Sequence, residues 1–208
     1  MQPTTTSPSY IPLRTSGWPT RRAPRWAIAS LAALLAVGVA VGLSHRPTAG
    51  QRGADLRGLL QTIKTDTQSC AGGVRESLVV LRSIDAGASH DLATALGVAT
   101  LGATNCSPAN NELLADFTSV QVPESLSSYH LQSALMGLID WAAPDAQRVM
   151  TDVATVLADR GKPAEAADRA ALRLALRKLD AQRSAIYALL TPAIKALSPQ
   201  SALPVLPG

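Results

Sequence analysis

The sequence predicts an all-α protein: a single N-terminal transmembrane helix followed by an extracytoplasmic antiparallel helical bundle of four main helices plus one or two short helices, with one disulfide. Three observations support this fold class. Residues 26–43 form an uncharged apolar run. From residue 54 onward, apolar residues recur at spacings of three, four and seven, and no stretch alternates Val, Ile, Thr or Tyr as a strand would. Both cysteines fall on predicted apolar helix faces.

The apolar run at 26–43 has the length of a membrane span. As a helix it would extend roughly 27 Å at about 1.5 Å per residue, close to the roughly 30 Å hydrocarbon core of a bilayer. Basic residues beside a membrane segment stay preferentially in the cytoplasm, and the only charged residues before the run are arginines. The sequence therefore predicts a disordered basic cytoplasmic tail over 1–25, a signal anchor over 26–43 and a linker over 44–53. The arginines are Arg14, Arg21, Arg22 and Arg25.

Two features within this run bear on processing and association. Gly38 and Ala40 form a small-x-small pair of the kind that precedes signal-peptide cleavage, but the long basic region and long apolar run favour a retained anchor. Gly38 and Gly42 form a GxxxG spacing that lets two membrane helices approach closely, which predicts a homodimer face. An Ala- and Gly-rich span also contains such spacings by chance.

The charge balance limits the partners of the exported part. Of the 19 basic residues, four precede the run, and the 15 that follow are matched by 15 acidic residues. A neutral domain lacks the basic excess that phosphate binding demands, so we predict no nucleic-acid partner. The sequence places the domain at the membrane, with an unknown envelope protein as its partner.

The first two helices of the domain are predicted over 54–84 and 90–105, joined by a turn at 85–89 with Ser89 as the second helix cap. Gly72 and Gly73 interrupt the first helix, which predicts a kink or a close helix contact there. The predicted apolar faces contain Leu56, Leu60, Ile63, Cys70, Val74, Leu78 and Leu81 in the first helix, and Leu92, Leu96 and Ala99 in the second.

The spacing of the cysteines predicts that they are bonded to each other. Cys70 continues the heptad row of the first helix and Cys106 that of the second. They lie 17 and 19 residues from Gly87 in the intervening turn, so an antiparallel hairpin would place them nearly level. A disulfide fits the oxidising compartment to which export delivers the domain. The alternative is a pair of buried free thiols.

Proline with an acidic residue one or two positions later marks three later helix starts, at Pro123, Pro144 and Pro163, after a short helix opened by Ser107 and Pro108. The last of these helices is predicted to be the longest. The domain spans 54–198, and residues 199–208 are predicted to be a disordered tail. The inward positions are Leu131, Leu135, Leu138 and Ala142, then Val149, Val153 and Val156 before a Gly161 cap, then Leu172, Leu179, Ile186 and Ala193.

No motif identifies a catalytic or metal site. Ser89, His90 and Asp91 are the residue types of a hydrolase triad, but neighbours on a helix point about 100° apart, so helix capping explains them better. A mixed metal site using His90 and His130 lacks the expected pairs at helical spacing. Asp145 and Glu165 lie in first helical turns, which explains them without a glycosidase. The sequence predicts no catalytic residue, metal or cofactor.

Arg169, Arg173 and Arg177 share one face of the last predicted helix and form the densest basic patch outside the tail. They are a predicted site for an anionic partner, with a solvated helix face as the alternative. The resulting hypothesis is a membrane-anchored, non-catalytic binding or assembly module of a bacterial cell envelope. Its rivals are a carrier of an apolar ligand or cofactor in the bundle interior and an envelope enzyme with dispersed catalytic residues.

Overall fold

The computed structural model of the chain describes residues 46–89, 91–107 and 120–208. The predicted tail at 1–25, the membrane helix at 26–43 with Gly38 and Gly42, and the short helix opened by Pro108 lie outside these residues. None of the helices in the described ranges is both long enough and apolar enough to cross a membrane.

The described part of the chain is helical and contains no strand, which confirms the all-α prediction. A 3₁₀ turn at Glu124–Tyr129 precedes the third helix, and a π turn at Trp141–Ala146 joins the third helix to the fourth. The α-helices are α1 (Ala49–Asp85), α2 (Leu92–Asn105), α3 (Leu131–Asp140), α4 (Gln147–Ala158) and α5 (Glu165–Leu197).

Helix α1 begins inside the segment that the sequence analysis assigned to a linker. Thr48 is its N-cap: the Thr48 hydroxyl accepts from the Gln51 N–H at 3.1 Å, and the Thr48 N–H donates to Gln51 Oε1 at 2.8 Å. This capping box satisfies two N–H groups at the helix start and so extends the helix backward from residue 54. With 37 residues against 33 for α5, α1 is the longer helix, so the prediction that the last helix is longest was wrong.

Helices α1 and α2 pack closely through glycine. A Cβ atom placed on Gly73 would lie 3.0 Å from the Cα of Gly102, and α1 runs without a break through this point. Of the two expectations for Gly73, the close helix contact is the one observed. One turn away, Cys70 and Cys106 form the predicted disulfide, with an S–S distance of 2.00 Å and their Cα atoms 5.0 Å apart.

Helix α2 differs from its prediction in its cap and in its buried face. Asp91, not Ser89, is the cap, because Asp91 Oδ1 accepts from the Thr94 N–H at 2.9 Å. Only small side chains face α1, since larger ones would hold the two helices apart. The buried residues are Ala95, Ala99 and Gly102, whereas Leu92 and Leu96 of the predicted apolar stripe are 40% and 36% exposed.

The helix predicted from Pro123 is divided in two. Its first part is the 3₁₀ turn, which ends at His130 in the left-handed region (φ 52°), and α3 follows. Beyond α3, Ala143 adopts an extended conformation (φ −137°, ψ 109°) that turns the chain into α4. Helix α4 packs against α1, α2 and α5 and so lies at the centre of the bundle. The valines predicted to face inward, Val149, Val153 and Val156, are buried there, as are Leu172, Leu179, Ile186 and Ala193 of α5.

The last ten residues pack back along α5, which differs from the predicted disordered tail. The Tyr187 hydroxyl donates to the Pro204 carbonyl at 2.6 Å and accepts from the Leu206 N–H at 3.1 Å. The Leu206 side chain is buried, and the Trp141 indole N–H lies 3.4 Å from the Pro207 carbonyl. Hydrogen bonds between the aromatic side chains and this non-helical segment fix the tail where sequence composition alone indicated fraying.

Candidate functional site

The side chains that resemble a hydrolase triad serve the helix start. Asp91 caps α2, and the Ser89 hydroxyl accepts from the Asp91 N–H at 3.4 Å. His90 lies outside the described residues, and His130 is an exposed residue at the junction before α3. Within 46–89, 91–107 and 120–208, no group of three His, Cys, Asp or Glu side chains is arranged to hold a metal ion.

The carboxylates weighed for glycosidase chemistry join elements of the bundle. Asp145 is buried and contacts Lys178 Nζ at 2.7 Å, which links the π turn to α5. Glu165 accepts from the Gly161 N–H at 2.7 Å and from Arg169 Nε at 2.8 Å. The Gly161 N–H and the Arg169 guanidinium hold the pKa of Glu165 below its ordinary value, so this carboxylate stays ionised.

Three aspartate side chains lie close together near α4 and α5: Asp152, Asp159 and Asp168. Burial raises the pKa of Asp168, and the neighbouring Asp159 and Asp152 carboxylates raise it further. Asp152 is paired with Arg148 through Nε at 2.8 Å. The cleft beside these groups encloses only about 200 Å³.

The predicted arginine patch is divided by an ion-pair network. The Arg169 guanidinium donates to both Asp85 carboxylate oxygens, at 2.9 and 2.6 Å, and Arg160 donates to Asp85 Oδ1 at 2.8 Å. Arg173 and Arg177 stay exposed on the next turns of α5. Arg169 therefore contributes to the junction of α1 with the start of α5, and the anionic-partner role of the full patch stays a prediction.

Replacing Asp85 with asparagine is expected to lower the free energy of unfolding by about 1 kcal/mol, because two guanidinium groups lose a shared carboxylate. The bond from Arg169 is the main cause that lowers the pKa of Asp85 below 3.8. A lowered pKa stabilises the fold above the unfolded-state value, so the difference from wild type should persist at neutral pH and fade as the pH falls below about 3.8.

Urea unfolding at a series of pH values measures this difference. The matched control is Asp180→Asn, which removes a surface pair with Arg183 three residues away on the same helix. We expect the control to change stability by a few tenths of a kcal/mol at most. Equal effects of both substitutions would contradict a structural role for the Asp85 network.

Helix α2 exposes an apolar surface to solvent. Its 14 residues include no charged side chain. Leu92 and Leu96, one turn apart on one side of α2, are more than one-third exposed. Leu101, about 140° around the helix from Leu96, is 64% exposed, so the exposed apolar surface extends around α2. Soluble domains rarely leave an uncharged helix with several exposed leucines uncovered, and such faces are typical of protein contacts.

An open groove lies between α1 and the C-terminal segment and encloses about 750 Å³. Along α1 it is lined by exposed cationic and amide side chains, and along the other wall by residues 201–205. The described residues that line it include no carboxylate. The side chains contributed by the exposed face of α1 are Arg57, Gln61, Lys64, Gln68 and Arg75.

The groove could not be predicted from the sequence, because one of its walls is the segment predicted to be disordered. The available signal was the spacing of Arg57, Lys64 and Arg75, which places three cations beside the apolar row of the first helix. That pattern also fits an ordinary solvated face. Only the docking of residues 201–205 makes it a concave site.

Comparison with known proteins gives no relative: no protein-family model, no curated protein and no solved structure matches this chain.

Proposed function

We propose that this chain is a single-pass, membrane-anchored protein whose helical domain acts outside the cytoplasm as a non-catalytic binding or assembly module of a bacterial cell envelope. The apolar run at 26–43 and the arginines before it support the anchor and its orientation. The buried Cys70–Cys106 disulfide supports an oxidising compartment for the domain.

The observation that carries the binding role is the exposed face of α2. Burial of apolar area is the main favourable term in most protein–protein association, and Leu92, Leu96 and Leu101 offer such area without charged neighbours on their helix. The partner we propose is an envelope protein that covers this face with an apolar surface of its own.

The two rival roles have less support from the described residues. A carrier needs an internal space, whereas the apolar side chains of the bundle pack against one another in one cluster. An enzyme needs a nucleophile or base in a concave site. Both hydroxyl side chains that line the groove are engaged in hydrogen bonds within the domain. The Thr67 hydroxyl donates to the Ile63 carbonyl at 2.7 Å, and Ser201 is hydrogen-bonded to Ser198 at 2.8 Å.

Site-specific photocrosslinking in a bacterial host tests the role. A photoreactive residue at Leu96 or Leu101 should give a discrete adduct of higher mass, and the same residue at Leu174 should not. Leu174 is a matched control because it is 62% exposed but lies on α5 beside the exposed Arg173. Adducts of equal intensity at all three positions, or none at any, would contradict the proposal.

A second variant separates binding from folding. Leu96→Gln should abolish the adduct formed through a photoreactive residue at Leu92, one turn away on the same side of α2, with little change in thermal stability, since the Leu96 side chain is exposed. Leu174→Gln should leave the adduct unchanged. Mass spectrometry identifies the crosslinked chain. If that chain is a second copy of this protein, associated through Gly38 and Gly42, the adduct has twice the mass of one chain.

Protease treatment of intact spheroplasts tests the orientation. An epitope at the C-terminus should be cleaved from the outside, while an epitope at the N-terminus should be protected and remain with the membrane fraction. Protection of the C-terminal epitope would overturn the proposed location, whatever the crosslinking result.

A further inference from the structure

Three cationic side chains are spread along the groove beside α1: Arg57, Lys64 and Arg75. Along the axis of α1, Arg57 and Lys64 are separated by roughly 10 Å, and Lys64 and Arg75 by roughly 16 Å, at about 1.5 Å per residue. All three side chains are exposed, and none forms an ion pair with another described residue. The groove therefore presents three separated cations to one elongated ligand.

The opposite wall is a segment with unpaired backbone N–H groups. Residues 201–205 contain no helix or strand. Within the described residues, the N–H groups of Leu203 and Val205 have no hydrogen-bond partner, although the Pro204 carbonyl between them is bonded to Tyr187. Unpaired backbone N–H groups can donate to the carbonyl groups of an extended peptide, as in peptide recognition by strand addition.

Apolar and amide side chains alternate with the cations. Leu60 and Ala71 lie at the base of the α1 wall, and Gln61 and Gln68 project beside them. Amides can bond to a peptide backbone, and the apolar positions can accept alternate side chains of an extended ligand. A lipid would favour cations at one end, and a sugar polymer would favour aromatic platforms, of which the described lining has none.

We propose that the groove between α1 and residues 201–205 binds an extended acidic peptide segment of another protein. This site is separate from the exposed face of α2, so it extends the proposed function to a second contact. An extended chain advances about 3.3 Å per residue and its side chains alternate between two faces, so three carboxylates separated by four and four residues share one face. They span about 26 Å, close to the roughly 27 Å from Arg57 to Arg75 along α1, and the middle carboxylate lies within reach of the long Lys64 side chain.

Binding of synthetic peptides to the full-length oxidised chain in detergent tests the proposal. The probe is the fluorescein-labelled nonapeptide EVTVEVTVE, whose three glutamates share one face of an extended chain, measured by fluorescence anisotropy at low and high salt. It should bind saturably and more weakly at high salt, and the neutral peptide QVTVQVTVQ should not bind. Absence of saturable binding by the acidic peptide would overturn the proposal.

Two variants locate the binding. Replacing Arg57, Lys64 and Arg75 with glutamine should weaken it about tenfold or more, since each exposed pair contributes a modest share. Ala202→Trp should block the groove without changing its charge, since Ala202 is an exposed residue of the wall. The matched control replaces three exposed cations outside the groove and outside the arginine patch with glutamine, at Arg46, Arg82 and Lys195, and should leave binding unchanged.

Thermal unfolding establishes that each variant is folded before binding is compared. Equal weakening by the groove variant and by the control variant would show that the effect depends only on net charge and would overturn the site. A photoreactive residue at Gln68 should crosslink to the bound peptide. A crosslink to another part of the same chain would show that the groove is filled internally and would also overturn the proposal. Neither result depends on the α2 adducts.

Discussion

Replacing Cys70 and Cys106 with alanine is expected to lower the free energy of unfolding by about 3 to 4 kcal/mol. The bond closes a segment in which the cysteines are 36 residues apart, and the chain-entropy model assigns roughly this value to such a loop. Both sulfur-bearing side chains are fully buried. Since a domain of this size loses about 2 to 4 °C of Tm per kcal/mol, the melting temperature should fall by about 6 to 16 °C.

Urea unfolding of the oxidised wild type, the reduced wild type and the double alanine variant measures this contribution. Reductant should destabilise the wild type by a similar amount and leave the double variant unchanged. The double variant serves as the control for effects of reductant elsewhere. A wild type whose unfolding midpoint does not respond to reductant would contradict the stabilising role of the bond.

The disulfide was predictable because two independent patterns agreed on it. The heptad rows of the first two helices place both cysteines on apolar faces, and their near-equal distances from Gly87 place them level. The valine row of α4 followed in the same way from helical spacing. Where burial follows one dominant periodicity, sequence is sufficient to predict it.

The face of α2 was not predictable from the same rule. Leu92 and Leu96 look like core residues by spacing, but the short Cys70–Cys106 bridge and the contact of Gly73 with Gly102 hold α1 too close for them. Interhelical distance decides which face is buried, and it depends on the residues of both helices. The leucines displaced from the interface form the exposed face on which the proposed function rests.

The groove was hidden from sequence for a different reason. Its second wall depends on hydrogen bonds between Tyr187 and a segment about 17 residues later. Turn and breaker residues such as Pro204 and Pro207 indicate an irregular conformation but not where it docks. A long-range contact that one hydroxyl group specifies leaves no periodic signal in the chain.

The second large effect is expected at the glycine contact between α1 and α2. Gly73→Ala should lower the free energy of unfolding by about 1 to 3 kcal/mol, because the new Cβ would lie 3.0 Å from the Cα of Gly102 and 3.2 Å from the Met150 sulfur. The methionine can move, but the backbone of α2 can yield only if the helices separate. The disulfide one turn away opposes that separation.

Gly72→Ala is the matched control. Gly72 is adjacent to Gly73 in the same helix, but Gly72 faces open space. Within the described residues, no heavy atom beyond the adjacent backbone of α1 lies within 4 Å of a Cβ at Gly72, so alanine there should raise the free energy of unfolding by up to about 1 kcal/mol through its helix propensity. The two adjacent alanine variants, compared by urea unfolding, should therefore shift stability in opposite directions. Equal shifts would show that α1 and α2 are not in close contact.

Combining Gly73→Ala with the Cys70→Ala and Cys106→Ala pair tests whether the bridge and the glycine contact act together. Without the bridge, α1 and α2 can move apart to accommodate the added methyl group, so Gly73→Ala should cost less stability than it does in the oxidised wild type. Residues this close are expected to couple, and the double-mutant cycle measures the coupling. Full additivity would mean that the disulfide does not set the distance between the helices at Gly73.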